Sequence, residues 1–270
     1  MQVKIWDRKW NLIISFKNYT NQIWGLEEIN SDTLATGDYD NMIKIWKIST
    51  GNLLKQIDSG SRVNCLQLLP SKLLVSGQYD GNILAWNVTS GLVTDNFKIE
   101  NGHTDSVFDF ALIDKENILA SAGVDNVTIL WNLTSQEKIK VLTGHTNTVN
   151  VLLFIPSNGM LATGSYDYTV KLWSQTNFTL IKTLKNGFGE IGLTLDMIGS
   201  DFLISGASNR IDIWQVSTGN LLNSVNTSVY FNALKTIDSS AIAVFLSFIN
   251  NLIFKTLIIV FFNNYKGIQR

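Results

Sequence analysis

Residues 161–173 read LATGSYDYTVKLW, and residues 34–46 read LATGDYDNMIKIW. Looser copies of the same letters occur elsewhere in the chain, and each copy closes on a tryptophan. Successive tryptophans of this kind lie 40, 40, 45, 42 and 41 residues apart: Trp6, Trp46, Trp86, Trp131, Trp173 and Trp214. A period of roughly 20 to 50 residues indicates an array of equivalent structural units. The copies therefore predict one repeated architecture.

Each unit has the alternating apolar and polar letters of short β-strands. In one unit, strands are predicted over 148–154, 160–165, 169–173 and 178–184. Polar turn residues separate them, with Tyr-Asp before the third strand and Ser-Gln-Thr-Asn before the fourth. Four short strands in about forty residues are typical of one β-propeller blade. A lone blade cannot cover both of its apolar faces, so the copies are expected to stack.

The repeats resemble those of the tryptophan–aspartate (WD) repeat β-propellers from Val3 to about Ser240. The resemblance depends on several features in register: Gly-His before the first strand, Ser/Thr-Gly near the end of the second, Asp in the next turn and Trp at the end of the third. It implies an all-β propeller of four-stranded blades. It also implies a non-catalytic scaffold that presents loop surfaces to other proteins or peptides.

The two chain ends are expected to share one blade. The chain begins with what resemble third and fourth strands, 3–6 and 11–17. Its later part contains the pattern of first and second strands, 229–237 and 241–247. Joined, these strands complete a sixth blade, which assigns residues 1–248 to the propeller.

Residues 249–270 then form an apolar, degenerate C-terminal segment. An alternative uses 252–262 as further strands, which gives seven blade positions with one incomplete. A third interpretation is a membrane tail anchor over 241–262, because this length matches a bilayer span. Asn250-Asn251 and Lys255 oppose it, since polar and charged residues are costly at a helix centre. A fourth is an end unrelated to the repeats.

The family resemblance implies a buried hydrogen-bonded chain of Trp, Ser or Thr, His and Asp within a blade. An indole N–H needs an acceptor, a hydroxyl can accept and donate onward, and an imidazole can link that hydroxyl to a carboxylate. By position, two structural sets follow, and they contain both histidines of the chain: His103, Ser121, Asp125 and Trp131, and His145, Thr163, Asp167 and Trp173.

Other units depart from this pattern. Tyr19, Ser59 and Gly187 stand where histidine is expected, and Ser208 replaces the turn aspartate before Trp214. These units are expected to lose the complete network and to be softer, because each missing buried hydrogen bond costs about 1 kcal/mol.

A catalytic interpretation of the His, Ser and Asp residues is disfavoured. A hydrolase needs one triad, whereas the set recurs with a tryptophan capping its hydroxyl. Two histidines and one cysteine are too few for a zinc site. We therefore predict no catalytic residues, no metal and no cofactor.

The residue before the turn aspartate is a tyrosine in three units, Tyr39, Tyr79 and Tyr166, and Val124 in another. In the resembled family this turn lies on the face that binds partners, and tyrosine is enriched at interface hot spots. Five further residues are predicted beside it, at the entrance to first strands: Trp24, Arg62, Asp105, Phe108 and Asn147. The alternative is that the tyrosines only pack over a neighbouring turn.

Composition narrows the function classes. The formal net charge is −1, which disfavours nucleic-acid binding. Cys65 lies in an apolar run and is expected to be a reduced core thiol. The N-terminus lacks the pattern of a secretory signal. Both observations lead us to expect a cytoplasmic location. One alternative function is a substrate-recognition subunit, for example of a ubiquitin ligase, because WDRK at 6–9 resembles part of an adaptor-docking motif. A second alternative is a propeller anchored to a membrane by its tail.

Overall fold

A computed structural model of the chain describes residues 3–6, 12–16, 19–91, 93–99, 102–113, 117–185, 194–207, 210–226, 233–238, 241–245 and 257–261. All of the regular elements in these ranges are β-strands, so the predicted all-β class is confirmed. The chain divides into two compact units, Met1–Thr143 and Gly144–Arg270.

The described residues of the first unit form three four-stranded antiparallel sheets and one strand pair. The pair is β1 (Val3–Trp6) with β2 (Leu12–Phe16). The four-stranded sheets are β3 (Ile23–Asn30), β4 (Thr33–Asp38), β5 (Met42–Lys47) and β6 (Leu53–Asp58); β7 (Val63–Leu68), β8 (Leu73–Gln78), β9 (Ile83–Asn87) and β10 (Val93–Ile99); and β11 (Val107–Ile113), β12 (Ile118–Gly123), β13 (Thr128–Asn132) and β14 (Lys138–Leu142).

In the second unit, the part that the structure describes forms two four-stranded antiparallel sheets and one three-stranded sheet. Their strands are β15 (Val149–Ile155), β16 (Met160–Ser165), β17 (Thr169–Ser174) and β18 (Leu180–Lys185); β19 (Thr194–Ile198), β20 (Phe202–Ala207), β21 (Arg210–Gln215) and β22 (Leu221–Asn226); and β23 (Ala233–Asp238), β24 (Ala241–Phe245) and β25 (Leu257–Phe261). In the four-stranded sheets of both units, consecutive strands are neighbours, which is the strand order of propeller blades.

The end strands differ from the shared blade expected from the sequence. The third strand beside β24 is β25, whereas a shared blade would place β1 there. Only residues 246–256 separate β24 from β25 in the sequence, so pairing these two strands costs less chain entropy than pairing strands from the two chain ends. Within the segment 249–270, the structure describes residues 257–261, which form the third strand of this sheet.

The apolar segment 241–262 is represented by two strands, β24 and β25, with residues 246–256 outside the described part. Among the described residues, none belongs to a helix long and apolar enough to cross a bilayer.

The tryptophans of four sheets lie at a repeated irregularity of the ladder. The register between third and fourth strands shifts immediately before Trp46, Trp131, Trp173 and Trp214. Such bulges bend a strand and redirect a side chain. These four residues are at most 4% exposed, so the shift coincides with an indole placed in the core.

The sheets of the first unit pack against one another through apolar clusters. One cluster joins β3–β6 to β7–β10 and includes Ile43, Val63 and Trp86. Another joins β7–β10 to β11–β14 and includes Cys65 and Val107. Burial raises the pKa of the Cys65 thiol well above its usual value, as expected for a core thiol. In the second unit, a comparable cluster joins β15–β18 to β19–β22.

Gly77, near the end of β8, permits one of these close approaches. A Cβ atom at this position would lie 2.4 Å from Cys65 Sγ and 2.7 Å from Val107 Cγ1. A side chain therefore cannot be added without moving β7 or β11. The Ser/Thr-Gly sequence motif follows from this close packing at Gly77.

Gly77→Ala is expected to destabilise the protein by about 1–3 kcal/mol, because overpacking forces neighbouring groups apart. Urea denaturation measures the change in unfolding free energy. An unchanged midpoint with an unchanged slope would contradict the close packing around Gly77.

Candidate functional site

Five buried tryptophans make the same hydrogen bond. In each case the indole N–H donates to a Ser or Thr hydroxyl on the second strand of the same sheet. The pairs and their Nε1–O distances are Trp46–Thr36 (3.0 Å), Trp86–Ser76 (2.8 Å), Trp131–Ser121 (2.8 Å), Trp173–Thr163 (3.0 Å) and Trp214–Ser205 (2.9 Å). This bond ties third strand to second in every four-stranded sheet.

The sheet β15–β18 extends this bond into a chain of four side chains. His145 Nε2 lies 2.7 Å from Thr163 Oγ1, and His145 Nδ1 lies 2.8 Å from Asp167 Oδ2. Asp167 also accepts hydrogen bonds from Thr169 Oγ1 and from the backbone N–H of Thr146. Burial acts to raise the pKa of Asp167, but these bonds outweigh it and hold the pKa below its usual value.

The protonation state of His145 follows from which groups donate and which accept in this series of hydrogen bonds. The indole of Trp173 donates to Thr163 Oγ1, which leaves the Thr163 hydroxyl hydrogen for His145 Nε2. Nδ1–H then donates to Asp167, so every group is satisfied when the imidazole is neutral. Burial lowers the pKa of His145 below its usual value, although the Asp167 carboxylate acts in the opposite direction.

The sheet β11–β14 contains a second hydrogen-bonded network of this kind. His103 Nε2 lies 2.7 Å from Ser121 Oγ, and His103 Nδ1 lies 2.9 Å from Asp125 Oδ1. Asp125 also accepts the backbone N–H of Thr104. The structure thus brings together each of the two side-chain sets that the family resemblance implies.

Tyr19 retains a hydrogen-bonded network in the sheet β3–β6, which corrects the expectation that this sheet would lose it. The Tyr19 hydroxyl lies 2.7 Å from Thr36 Oγ1 and therefore takes the place of an imidazole nitrogen. Burial raises the pKa of Tyr19 to about 12, so the phenol remains protonated. The longer phenol reaches the same hydroxyl as a histidine does, a substitution that a search for histidine alone cannot detect.

A buried ion pair adds to this sheet. Lys44 Nζ lies 2.7 Å from Asp38 Oδ2, and both side chains are almost fully buried. Asp38 Oδ1 also accepts the backbone N–H groups of Asp40 and Met42, which fixes the turn between β4 and β5. The repeat pattern does not predict this ion pair, because the corresponding units place other residue types at one or both positions.

Ser59 does not replace histidine in the sheet β7–β10. Its Oγ lies 2.8 Å from the Asn41 carbonyl oxygen and 2.7 Å from the Ser61 carbonyl oxygen, so its single hydrogen is directed to these carbonyls and not to Ser76. The predicted loss of the network therefore holds at this position. Gly187 and Ser208 lie outside the described residues.

An arginine lies between two of the predicted surface tyrosines in the first unit. The Arg62 guanidinium carbon is 3.7 Å from the centroid of the Tyr39 ring and 4.7 Å from that of Tyr79. Tyr39 is half-buried, whereas Tyr79 is 54% exposed. The backbone N–H of Tyr79 donates to the Arg62 carbonyl, which places the two residues side by side.

A second aromatic pair lies on the strands that flank β7. The rings of Trp24 on β3 and Phe108 on β11 stack with centroids 6.2 Å apart and an interplanar angle of 18°. Trp24 is 50% exposed, and its indole N–H donates to Gln22 Oε1. Arg62 immediately precedes β7, and Asn64 on β7 donates to the Val107 carbonyl of β11. The two aromatic groups therefore occupy one part of the first unit.

Carboxylates accompany these aromatic groups. Asp105 is exposed, and its Oδ1 accepts the backbone N–H of Ser106. Asp80 is also exposed and accepts from Asn82, while Asp40 accepts from Thr20 and Asn21. We call Trp24, Tyr39, Arg62, Tyr79, Asp105 and Phe108 the aromatic surface.

Two of the predicted partner-binding residues belong to the second unit. Asn147 is exposed and caps the backbone N–H of Thr148. Tyr166 is half-buried, and burial raises the pKa of its hydroxyl. The half-buried Tyr39 and Tyr166 are therefore closer to the alternative interpretation, in which these tyrosines pack against the protein itself. Tyr79 differs, because about half of its side chain is accessible to a partner.

Two supporting residues were not singled out from the sequence. Gln22 holds the Trp24 indole, and the Ser106 hydroxyl donates to the Tyr79 carbonyl. Both occupy polar connections before a first strand. That location was a usable signal, but the contacts depend on side-chain direction.

In the described part of the chain, His, Cys, Asp and Glu side chains form no group of three that could hold a metal ion. The motif WDRK extends to Lys9, and Asp7–Lys9 fall outside the described residues.

The comparisons with known proteins agree with this repeat geometry. Residues 10–47, 96–132 and 136–174 match the family model described as "WD domain, G-beta repeat". The crystal structure of the computationally designed Ika8 protein is similar, with a TM-score of 0.72 and 25% identity over 89% of this chain and 73% of that chain. No curated protein matches the sequence.

The hydroxyl of Thr128 provides a test of the buried hydrogen bonds. Thr128 is 1% exposed, and its Oγ1 has no hydrogen-bond partner within the described ranges, whereas Thr36 Oγ1 contacts Tyr19 and Trp46. Thr128→Val is expected to maintain or raise the unfolding free energy, and Thr36→Val to lower it by about 1–3 kcal/mol. Urea denaturation compares the two isosteric changes. Equal destabilisation would contradict the assignment.

His145 is expected to titrate below pH 6.5, the usual midpoint for histidine. Because its folded pKa is lowered, unfolding takes up a proton, and its contribution to stability falls as the pH drops from about 7.5 through its folded pKa. NMR of the imidazole signals measures the midpoint, and His145→Gln assigns them since only His103 remains. A midpoint above 6.5 would show that the Asp167 charge dominates burial.

Proposed function

Because the chain belongs to the WD-repeat family of β-propellers, we propose that it is a non-catalytic scaffold that binds other proteins or peptides. Proteins with these repeats typically act through such binding and are generally non-enzymatic. The proposed location is the cytoplasm.

The aromatic surface carries the proposal. Trp24 and Tyr79 each leave at least half of a large side chain exposed, although both are held by neighbouring residues. Tryptophan, tyrosine and arginine are the residue types most enriched at interaction hot spots. Rigid aromatic side chains lose little conformational entropy on binding, so they can contribute strongly to affinity.

The two buried hydrogen-bond networks that contain His103 and His145 support a structural rather than a catalytic role. Ser121 and Thr163 are fully buried, and each hydroxyl is held between an imidazole and an indole. A nucleophile must reach its substrate, which this burial prevents. The histidines therefore serve the fold, and function is assigned to the surface.

Nucleic acid is an unfavourable partner for the aromatic surface. Asp80 and Asp105 are exposed there, and Arg62 is the single basic member of the set. Proteins that bind nucleic acid place several basic residues against the phosphates. A protein or peptide partner suits this mixture of aromatic, acidic and basic groups better.

Peptides selected by phage display on the full-length chain provide ligands for a test. Trp24→Ala together with Tyr79→Ala is expected to weaken their binding by at least about tenfold, as for hot-spot residues. Fluorescence anisotropy with the synthetic peptides measures Kd.

Leu54→Ala is the matched control, because Leu54 is 54% exposed on the outer strand β6, away from the aromatic surface. It is expected to leave Kd unchanged. Peptides that are insensitive to the double substitution but sensitive to Leu54→Ala would refute the assigned surface.

A further inference from the structure

Arg62 is held in place by ring contacts rather than by an acidic partner. Tyr39 and Tyr79 lie within 3.7 and 4.7 Å of the guanidinium carbon. Cations are attracted to the faces of aromatic rings, and the planar guanidinium also stacks on them. These contacts restrict the Arg62 side chain before any ligand arrives.

The hydrogen-bonding groups of Arg62 remain available. Among the described residues, the guanidinium makes no hydrogen bond and has no carboxylate within salt-bridge distance. Arg210 differs, since its Nε lies 2.7 Å from Asp212 Oδ1. Arg62 is half-buried, so its charge is less screened than that of an extended surface arginine. Its N–H donors form a fork that matches a planar carboxylate.

The neighbouring charges restrict which anion can bind. Tyr39 and Tyr79 are each followed by an aspartate, Asp40 and Asp80, and Asp105 belongs to the next loop. A phosphoryl group carries about −1.5 to −2 charges at neutral pH, and one arginine beside several carboxylates cannot compensate it well. A carboxylate has a single charge, and basic residues flanking it would be attracted to the aspartates.

We propose that Arg62 anchors an Asp or Glu side chain of a partner peptide whose flanking residues are basic or neutral. This inference rests on the proposed function and specifies the ligand of the aromatic surface. Trp24 and Phe108, on the strands either side of β7, offer an apolar contact beside the anchor. The partner sequence is therefore expected to combine one acidic residue with a nearby apolar or aromatic residue.

The test compares matched peptides on the full-length chain. Peptides selected as described above are expected to share an acidic residue, and replacing it by its amide should weaken binding to the wild type by roughly 10- to 100-fold. With Arg62→Gln, the same replacement should change Kd by no more than about twofold, because the interaction is already lost. Arg62→Lys keeps the charge but loses the fork, so its affinity should be intermediate.

Two further peptides separate the alternatives. Phosphoserine in place of the acidic residue, and acidic residues in place of the flanking ones, should both weaken binding. Tighter binding of the phosphopeptide, or an amide effect of equal size in wild type and Arg62→Gln, would overturn the inference. Peptides that depend on Trp24 and Tyr79 but require no acidic residue would overturn it while supporting the proposed function. Thermal unfolding of each variant shows whether the fold is intact.

Discussion

The hydrogen bond from a buried indole to a Ser or Thr hydroxyl is the constraint on which each four-stranded sheet depends. It joins two neighbouring strands from within the core, where an unpaired N–H would be costly. Trp86 and Ser76 maintain it without a histidine, whereas Trp46 and Thr36 use Tyr19 as the next partner. The histidine and aspartate are therefore extensions of this bond rather than its foundation.

The repeat period made most of the fold predictable. Trp131 and Trp173 fix the third strands, and the spacing from each tryptophan identifies the hydroxyl and the turn aspartate. The pairing of β25 was harder to predict, because its apolar letters lack the turn glycine and terminal tryptophan of the other units. The role of Tyr19 was missed for a different reason, since a phenol and an imidazole can both contact the same hydroxyl group but follow different sequence patterns.

The candidate surface was predictable in residue type and only partly in arrangement. The position before the turn aspartate identified Tyr39, Tyr79 and Tyr166, but burial separates Tyr79 from the other two. The stacking of Arg62 depends on the direction of long side chains, which strand periodicity does not determine. The same holds for the contact between Trp24 and Phe108, which are far apart in the chain.

Tyr19 gives the sheet β3–β6 a buried hydrogen bond that does not respond to ordinary changes in acidity. Burial raises its pKa to about 12, and a phenol gains no proton in weak acid. A histidine at that position could take up a proton in acid and would then place a positive charge inside the core. The tyrosine therefore keeps its hydrogen bond to Thr36 in acidic surroundings that would protonate an imidazole.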